Sequence, residues 1–176
     1  MNPAEFGING GWGGLRTTKR LVEKFDYAVT QTDGDGHPTA WSDHRAMFHT
    51  DGQTYETDKM STFKSGYAVR KFKNVDVNGS PGSDSSGDHP DMDVPIIRLA
   101  EVYLNYAEAV ARGSGGSAAT AVDLINELRL RAGASTITSG QLTTEMVMDE
   151  RSRELYWEGL RRPDLIRYNK FVSGTY

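Results

Sequence analysis

The chain has 176 residues, 37% of them apolar and 25% charged, with a net charge of −4 and no cysteine. That length makes one domain, or one large piece of a bigger protein, and is enough to bury a core. The acidic balance argues against a nucleic-acid binder, which shows a basic excess or stripe. The lack of cysteine excludes a disulfide framework, a thiolate zinc site and a thiol nucleophile. No segment is apolar enough to span a membrane, and the opening MNPAEFGINGGWGG lacks the charged and apolar regions of a signal peptide.

Residues 1–93 are rich in Gly, Asp, Thr and Ser, with little periodicity. TTKRLVEKFDYA predicts one short helix, capped by Thr17 or Thr18, with Leu21, Val22 and Phe25 on one face. TDGDGHPTAWSDHRAMFHTDGQTYETDK reads as loops and short strands, punctuated by Gly and Pro. GYAVRKF alternates and predicts a strand. NVDVNGSPGSDSSGDHPD is a polar, turn-rich loop with the composition of a linker.

From Pro95 onward the pattern becomes helical. Pro95 suits the first turn of a helix, with Asp93 before it as the cap. Ile96, Leu99, Ala100, Tyr103, Ala107 and Val110 recur at steps of three and four and make one apolar stripe. The GSGG at 113–116 stops that helix. Ser117 caps the next, whose stripe is Ala118, Ala121, Val122, Ile125 and Leu128, and Gly133 ends it. Two helices joined by so short a loop pack antiparallel, and Ala107 and Ala121 allow them close approach. This is the pattern of a tetratricopeptide-like pair, which needs neighbours to cover its remaining faces. A third helical region starts at Thr143 or Thr144, and Gly159 and Pro163 predict a break or kink within it. The fold class expected is therefore mainly α: an antiparallel tetratricopeptide-like pair with further helices, behind a loop-rich first half containing short strands. The whole of 1–176 reads as one domain with a loop-rich part, 1–93, and a helical part, 94–172.

The stretch MDERSRELYWEGLRRPDLIRYNKF, 148–171, holds five acidic residues, five arginines and four aromatics. In a helix, Asp149 meets Arg153 and Glu158 meets Arg162 at i,i+4 spacing. A catalytic acid pair needs one carboxyl with a raised pKa. Here each carboxylate has an arginine within a turn, which favours the ionised form. The stretch is read as architecture, with arginine forks tying helices to loops. Trp157 and Tyr168, on the same segment, are read as core.

Three motifs in order resemble the C-terminal part of SusD/RagB-like proteins, the glycan-capturing outer-membrane lipoproteins of Bacteroidota. PIIRLAEVYLNYAEAVAR carries Ala100, Glu101, Leu104, Ala107, Glu108 and Ala109 of the family's first helix. AVDLINELRLRAGA carries Ile125, Asn126, Arg129, Arg131, Ala132 and Gly133 of its second. The charged stretch carries Glu150, Arg151, Glu154, Leu155, Glu158, Gly159, Arg161, Asp164, Leu165 and Arg167 of its third. Upstream, SDHRAMF resembles the family's D-x-R segment and GYAVRKF its Gly-Tyr strand. The resemblance implies a C-terminal piece of such a protein, without the family's lipoprotein signal or its asparagine-rich tail. It implies carbohydrate binding without catalysis, a place on the outer-membrane surface for the full-length parent, and a SusC-like TonB-dependent transporter as partner. The piece itself is expected to expose helix faces that the missing repeats would cover, and so to self-associate.

A glycan site is an apolar platform with a few placed polar groups. Trp12, Trp41, Tyr55 and Tyr67 are the platforms outside the helices. Trp41 leads, beside Asp43, His44 and Arg45 in a polar loop, and the ligand-binding set is Trp41, Asp43, Arg45, Tyr55 and Trp12. Asp33 and Asp35 offer oxygens to a calcium ion, although the loop departs from an EF-hand at its fourth and later positions. No zinc-hydrolase motif, nucleophile elbow or phosphate loop is present. Two other readings stand beside carbohydrate binding: a scaffold that holds helices and contacts the transporter while sugar binds elsewhere, and a glycosidase hidden among 24 acidic residues.

Overall fold

The computed structural model describes residues 1–11, 14–84, 86 and 89–172. In chain order the regular elements are β1 (Arg16–Thr17), α1 (Lys19–Val22), β2 (Val29–Thr32), β3 (Pro38–Trp41), β4 (Phe48–His49), β5 (Tyr67–Val69), α2 (Leu99–Ala111), α3 (Ala118–Arg131), α4 (Thr144–Leu155) and α5 (Arg161–Arg167), with short 3₁₀ turns at Pro3–Phe6, Glu23–Ala28 and Ser139–Gln141. The chain is mainly helical, as the periodicity and the family resemblance predict. It divides into two units: Met1–Lys19 with Met47–Val94, and Arg20–Ala46 with Pro95–Tyr176.

The first unit is built on an antiparallel sheet in the order β1–β5–β4. The predicted GYAVRKF strand is its centre, pairing Ala68 with Arg16 on one side and with His49 on the other. Tyr67, Ala68 and Phe48 are buried there. Gly66 must be glycine: its φ is +92°, and a Cβ would stand 2.3 Å from the Thr57 hydroxyl oxygen. The polar loop 74–91 is shaped by Asn74, whose amide donates to the Gly7 carbonyl at 3.2 Å and accepts from the Asp91 N–H at 2.8 Å.

The second unit is the tetratricopeptide-like pair with its further helices. Its core joins Ala100, Leu104 and Ala107 of α2, Ala121, Val122, Ile125 and Leu128 of α3, and Val147 and Leu155 of α4. Ala107 and Ala121 are both fully buried, as close helix approach requires. Ser117 caps α3 through the Thr120 N–H, Thr143 caps α4 through the Met146 N–H, and Gly133 follows α3 with φ +70°. Asn126 then fixes the chain beyond α3, exchanging two amide bonds with Ile137 at 2.7 and 3.0 Å. The short predicted helix after Thr18 is present as α1 and the 3₁₀ turn that follows, burying Val22 and Phe25.

Four local expectations are corrected. First, α2 begins at Leu99 rather than at Pro95, and Asp93 does not cap it. Arg98 occupies the cap position in an extended conformation because its guanidinium reaches for Glu154 and Glu158. Second, the stripe is rotated: Ile96 is 90% and Leu99 62% exposed, Ala118 of α3 is exposed too, and Leu104 and Glu108 join the buried side of α2. A wide apolar face does not say which part of it meets a neighbour. Third, the i,i+4 pairs do not form. Asp149 pairs with Lys24 at 2.8 Å, Arg153 turns inward to Glu150, and Glu158 pairs with Arg98, since the helix ends at Leu155 and places Glu158 and Arg162 on different elements. Fourth, Trp157 is 42% exposed and lies outside the core.

These faces are distinguishable by stability. Ile125→Ala, in the buried row of α3, lowers the free energy of unfolding by about 2–5 kcal/mol. Leu99→Ala leaves it within about 0.5 kcal/mol. Denaturant melts of both variants check the assignment.

Candidate functional site

The hairpin β2–β3 carries the predicted site residues of the second unit. Val29 faces Trp41 across it, and Thr32 faces Pro38. At its tip the Asp33 N–H donates to the His37 carbonyl at 2.9 Å and the Gly36 N–H donates to the Asp33 carbonyl at 3.1 Å. Gly36 takes φ +85°, the left-handed region that glycine enters without steric cost. One Asp33 carboxylate oxygen accepts the N–H groups of Asp35 and His37, at 2.9 and 2.8 Å, and these bonds hold its pKa below the ordinary value. Asp33, Asp35 and His37 gather within reach of one another. The set fits calcium poorly. One of its oxygens is already occupied in shaping the turn, and His37 brings nitrogen where calcium takes oxygen.

Trp41 ends β3 half-buried, and the chain then turns inward. The Ser42 N–H donates to the Ala28 carbonyl at 2.8 Å, and the His44 N–H donates to the Ala132 carbonyl at 2.8 Å. These two bonds pin the segment so that Asp43 and Arg45 point into the helices. Asp43 is 1% exposed and Arg45 7%. They form a fork: Arg45 Nε donates to Asp43 Oδ1 at 3.0 Å and an Nη donates to Oδ2 at 2.8 Å. The other end of the guanidinium meets Glu150 at 2.8 Å and Glu154 at 3.1 Å, both from α4.

Glu150 is the hub. One carboxylate oxygen takes Arg45; the other takes Arg129 of α3 at 2.6 Å and Arg153 at 2.7 Å. Tyr27 donates its hydroxyl to Asp43, and its ring lies against the guanidiniums of Arg129 and Arg153, 4.8 and 5.2 Å from its centre. The Tyr156 hydroxyl donates to the Arg45 carbonyl at 2.7 Å. A second set extends from it. Glu154 takes Arg98 and Arg131, each at 2.6 Å, and Arg98 also grips Glu158. A third set joins Arg151 to Asp164 at 2.8 Å and to Asn105 at 2.7 Å, with Arg167 bridging Asp164 and Glu108. Most charged residues of the three sequence motifs are therefore struts between elements.

The electrostatics follow from this packing. Burial opposes the charge on Glu150, but Arg153, Arg45 and Arg129 outweigh it and hold the carboxyl down to about 2. Burial likewise opposes ionisation of Asp43 and Glu154, and their arginine partners again hold both low. The Tyr27 phenol is pushed up to about 12, first by burial and then by its bond to Asp43. None of these carboxyls can serve as a proton donor near neutral pH, so the cluster is no acid–base pair.

Of the predicted ligand-binding residues, Asp43 and Arg45 are thus buried members of this network, engaged by Tyr27, Glu150 and Glu154. Trp41 stands at the entrance to their loop. Tyr55 belongs to the first unit, half-buried edge-on to Tyr67 with ring centres 5.6 Å apart. Trp12 lies outside the described residues. Tyr27 carries no signal in the sequence beyond its place in a short helix, because its role depends on three residues from distant segments.

Two predictions follow from the hub. Glu150→Ala leaves Arg129 and Arg153 facing each other without their shared carboxylate and costs about 3–5 kcal/mol of stability. Depressed carboxylate pKa values stabilise the fold fully above the unfolded value of about 4.3. That contribution is lost as pH falls towards about 2. Tyr27 acts at the other end: its raised pKa stabilises the fold below about 10, and that contribution disappears as pH rises through about 12. Unfolding free energy measured against pH shows both flanks, and Tyr27→Phe flattens the alkaline one.

With this geometry on hand, the comparisons with known proteins place the chain. The model of the SusD family matches residues 49–176. The starch-binding protein SusD of Bacteroides thetaiotaomicron is 39% identical over 121 residues, a stretch covering 69% of this chain and 21% of that protein. The crystal structure of a SusD superfamily protein from Bacteroides vulgatus superimposes with a TM-score of 0.57 at 21% identity, covering 92% of this chain and 36% of that one, which shows a shared fold. The chain spans about a fifth of the length of the curated relative it matches. Its ordered motifs, its helical architecture and these matches agree: the chain belongs to the SusD family.

Proposed function

We propose that this chain serves non-catalytic carbohydrate binding, as part of a SusD-like protein that captures polysaccharide or oligosaccharide at the outer-membrane surface and passes it to a SusC-like TonB-dependent transporter. The observation that carries this reading is the 39% identity to a protein named for starch binding. The state of the buried carboxylates supports the non-catalytic part, since Glu150, Glu154 and Asp43 are held ionised by arginine. No helix among the described residues is long and apolar enough to cross a membrane.

Trp41 is the residue on which we place a sugar ring. Its indole is half-buried, with an apolar ring for a sugar to stack on, and Asp43 and Arg45, two and four residues on, fix the loop that carries it. Asp43 and Arg45 act on this reading as positioning residues behind Trp41. Tyr55 is a second platform, in the first unit. Calcium at Asp33 and Asp35 is not needed for it.

A scaffold role is the second reading, favoured by the number of motif residues spent on ion pairs between elements. Affinity electrophoresis of the chain and of Trp41→Ala, through gels containing soluble polysaccharides, separates the two. Carbohydrate binding at Trp41 predicts retardation that the variant loses, with a fold unchanged by circular dichroism. A folded chain that no glycan retards moves the sugar site elsewhere and leaves the scaffold.

A further inference from the structure

Two asparagines in this chain are followed by glycine, Asn9 and Asn78. That pairing has a chemistry of its own. The backbone nitrogen of the glycine can attack the side-chain amide carbon of the asparagine, and glycine has no Cβ to stand in the way. Asn78 lies at the tip of a tight loop in the first unit. Val75 bridges to Pro81 across the base of that loop. The Asp76 N–H donates to the Ser80 carbonyl at 2.9 Å, and the Gly79 N–H donates to the Asp76 carbonyl at 3.0 Å. Val77, Asn78 and Gly79 are all exposed, and a Cβ at Gly79 would meet nothing within 4 Å. The Asn78–Gly79 bond is therefore open to water.

One side chain organises this loop. Asp76 Oδ1 accepts the N–H of Asn78 at 2.8 Å and the N–H of Ser80 at 2.9 Å. The bonds from Ser80 and Asn78 hold the Asp76 carboxyl below its ordinary pKa, so it is a charged acceptor at neutral pH. These bonds oppose the attack. The Gly79 nitrogen must lose its proton and turn towards the Asn78 side chain, yet its N–H is committed to the Asp76 carbonyl. The loop has to open first, and Asp76 grips the residues on either side of Gly79.

We propose that Asn78 is a site of spontaneous deamidation through Gly79, and that the Asp76 carboxylate acts as its brake. In the first step the Gly79 nitrogen bonds to Cγ of Asn78 as the Cγ–Nδ2 bond breaks. The proton from Gly79 leaves with the amide as ammonia, and a cyclic succinimide remains. Water then adds to either carbonyl of the ring and restores an N–H at Gly79. Opening at the side-chain carbonyl gives aspartate; opening at the main-chain carbonyl gives isoaspartate. No oxidant, cofactor or partner is needed. Either product adds a carboxylate beside Asp76. Isoaspartate also lengthens the backbone of the loop by a carbon, against the bridge between Val75 and Pro81.

Timed incubation of the folded 176-residue chain in mildly alkaline buffer, followed by proteolysis and peptide mass spectrometry, tests this. The wild type is expected to convert Asn78 to both aspartate and isoaspartate. Asp76→Ala is expected to raise the rate at Asn78 about threefold or more. Asp76→Asn, which keeps an oxygen acceptor for the two N–H groups, returns it towards the wild-type rate. Asn9 is the internal monitor, since its side-chain amide donates to the Ser86 carbonyl and depends on the fold of the same unit. Its rate stays unchanged in both variants, which separates release of the turn from loss of folding. An Asn78 that stays intact while the denatured chain converts overturns the site, and aspartate without isoaspartate overturns the succinimide route. A rate in Asp76→Ala equal to wild type, or one that rises equally at Asn9, overturns the brake.

Discussion

A buried carboxylate shared by three guanidiniums is the interaction on which the helical unit depends. Glu150 is fully buried, and Arg45, Arg129 and Arg153 reach it from the loop after β3, from α3 and from α4 itself. An isolated charge at that depth is prohibitively costly, so the three segments must arrive together or the helix cannot pack. The ion pairs add little net stability over an apolar equivalent. What they impose is position: each guanidinium has a planar fork that accepts only one arrangement of its partners. Tyr27 completes the hub, closing Asp43 from one side while its ring covers Arg129 and Arg153.

This arrangement makes sense of the motif-rich composition of the last third of the chain. Many of its carboxylates and arginines have a partner in another element. Glu108 meets Arg112 and Arg167, Asp164 meets Arg151 and Arg167, and Glu154 meets Arg45, Arg98 and Arg131. A binding protein benefits from such a frame, because a weak, multi-point ligand such as a glycan is held only by groups already fixed in place. In the reading proposed here, the hairpin carrying Trp41 is fixed at its base by Asp43 and Arg45. The same network that builds the helices would then also present the sugar-facing indole.

The chemistry of the unit changes from centre to rim. At Glu150 the charges are buried and every segment around them is packed. At Arg98 and Arg131 the ion pairs are partly solvated, and the apolar residues beside them face outward. A tetratricopeptide-like pair buries only part of its surface by itself. On the coverage they show, the relatives of this chain are roughly two and a half to three times its length.

The helix pair, the caps at Ser117 and Thr143, the stop at Gly133 and the break before Pro163 were all legible in the sequence. They rest on local rules: side-chain period, capping hydroxyls, and the backbone that glycine alone adopts freely. The structural character of the charged stretch was legible too, because arginines in equal number leave no carboxyl free to hold a proton. Its partners were not. The i,i+4 pairs expected from spacing gave way to Lys24, Glu150 and Arg98, since a buried charge is satisfied by whatever tertiary packing brings nearest. The buried edge of α2 could not be read from a stripe that is apolar on more than one side, and Ile96 and Leu99 fell outside it. Asp43 and Arg45, neighbours of Trp41 in a polar loop, look in sequence like ligand contacts; only the fold turns them inward to Glu150. Local composition determined which elements form, whereas long-range pairing of charges decided which faces they bury and which residues remain to meet a partner.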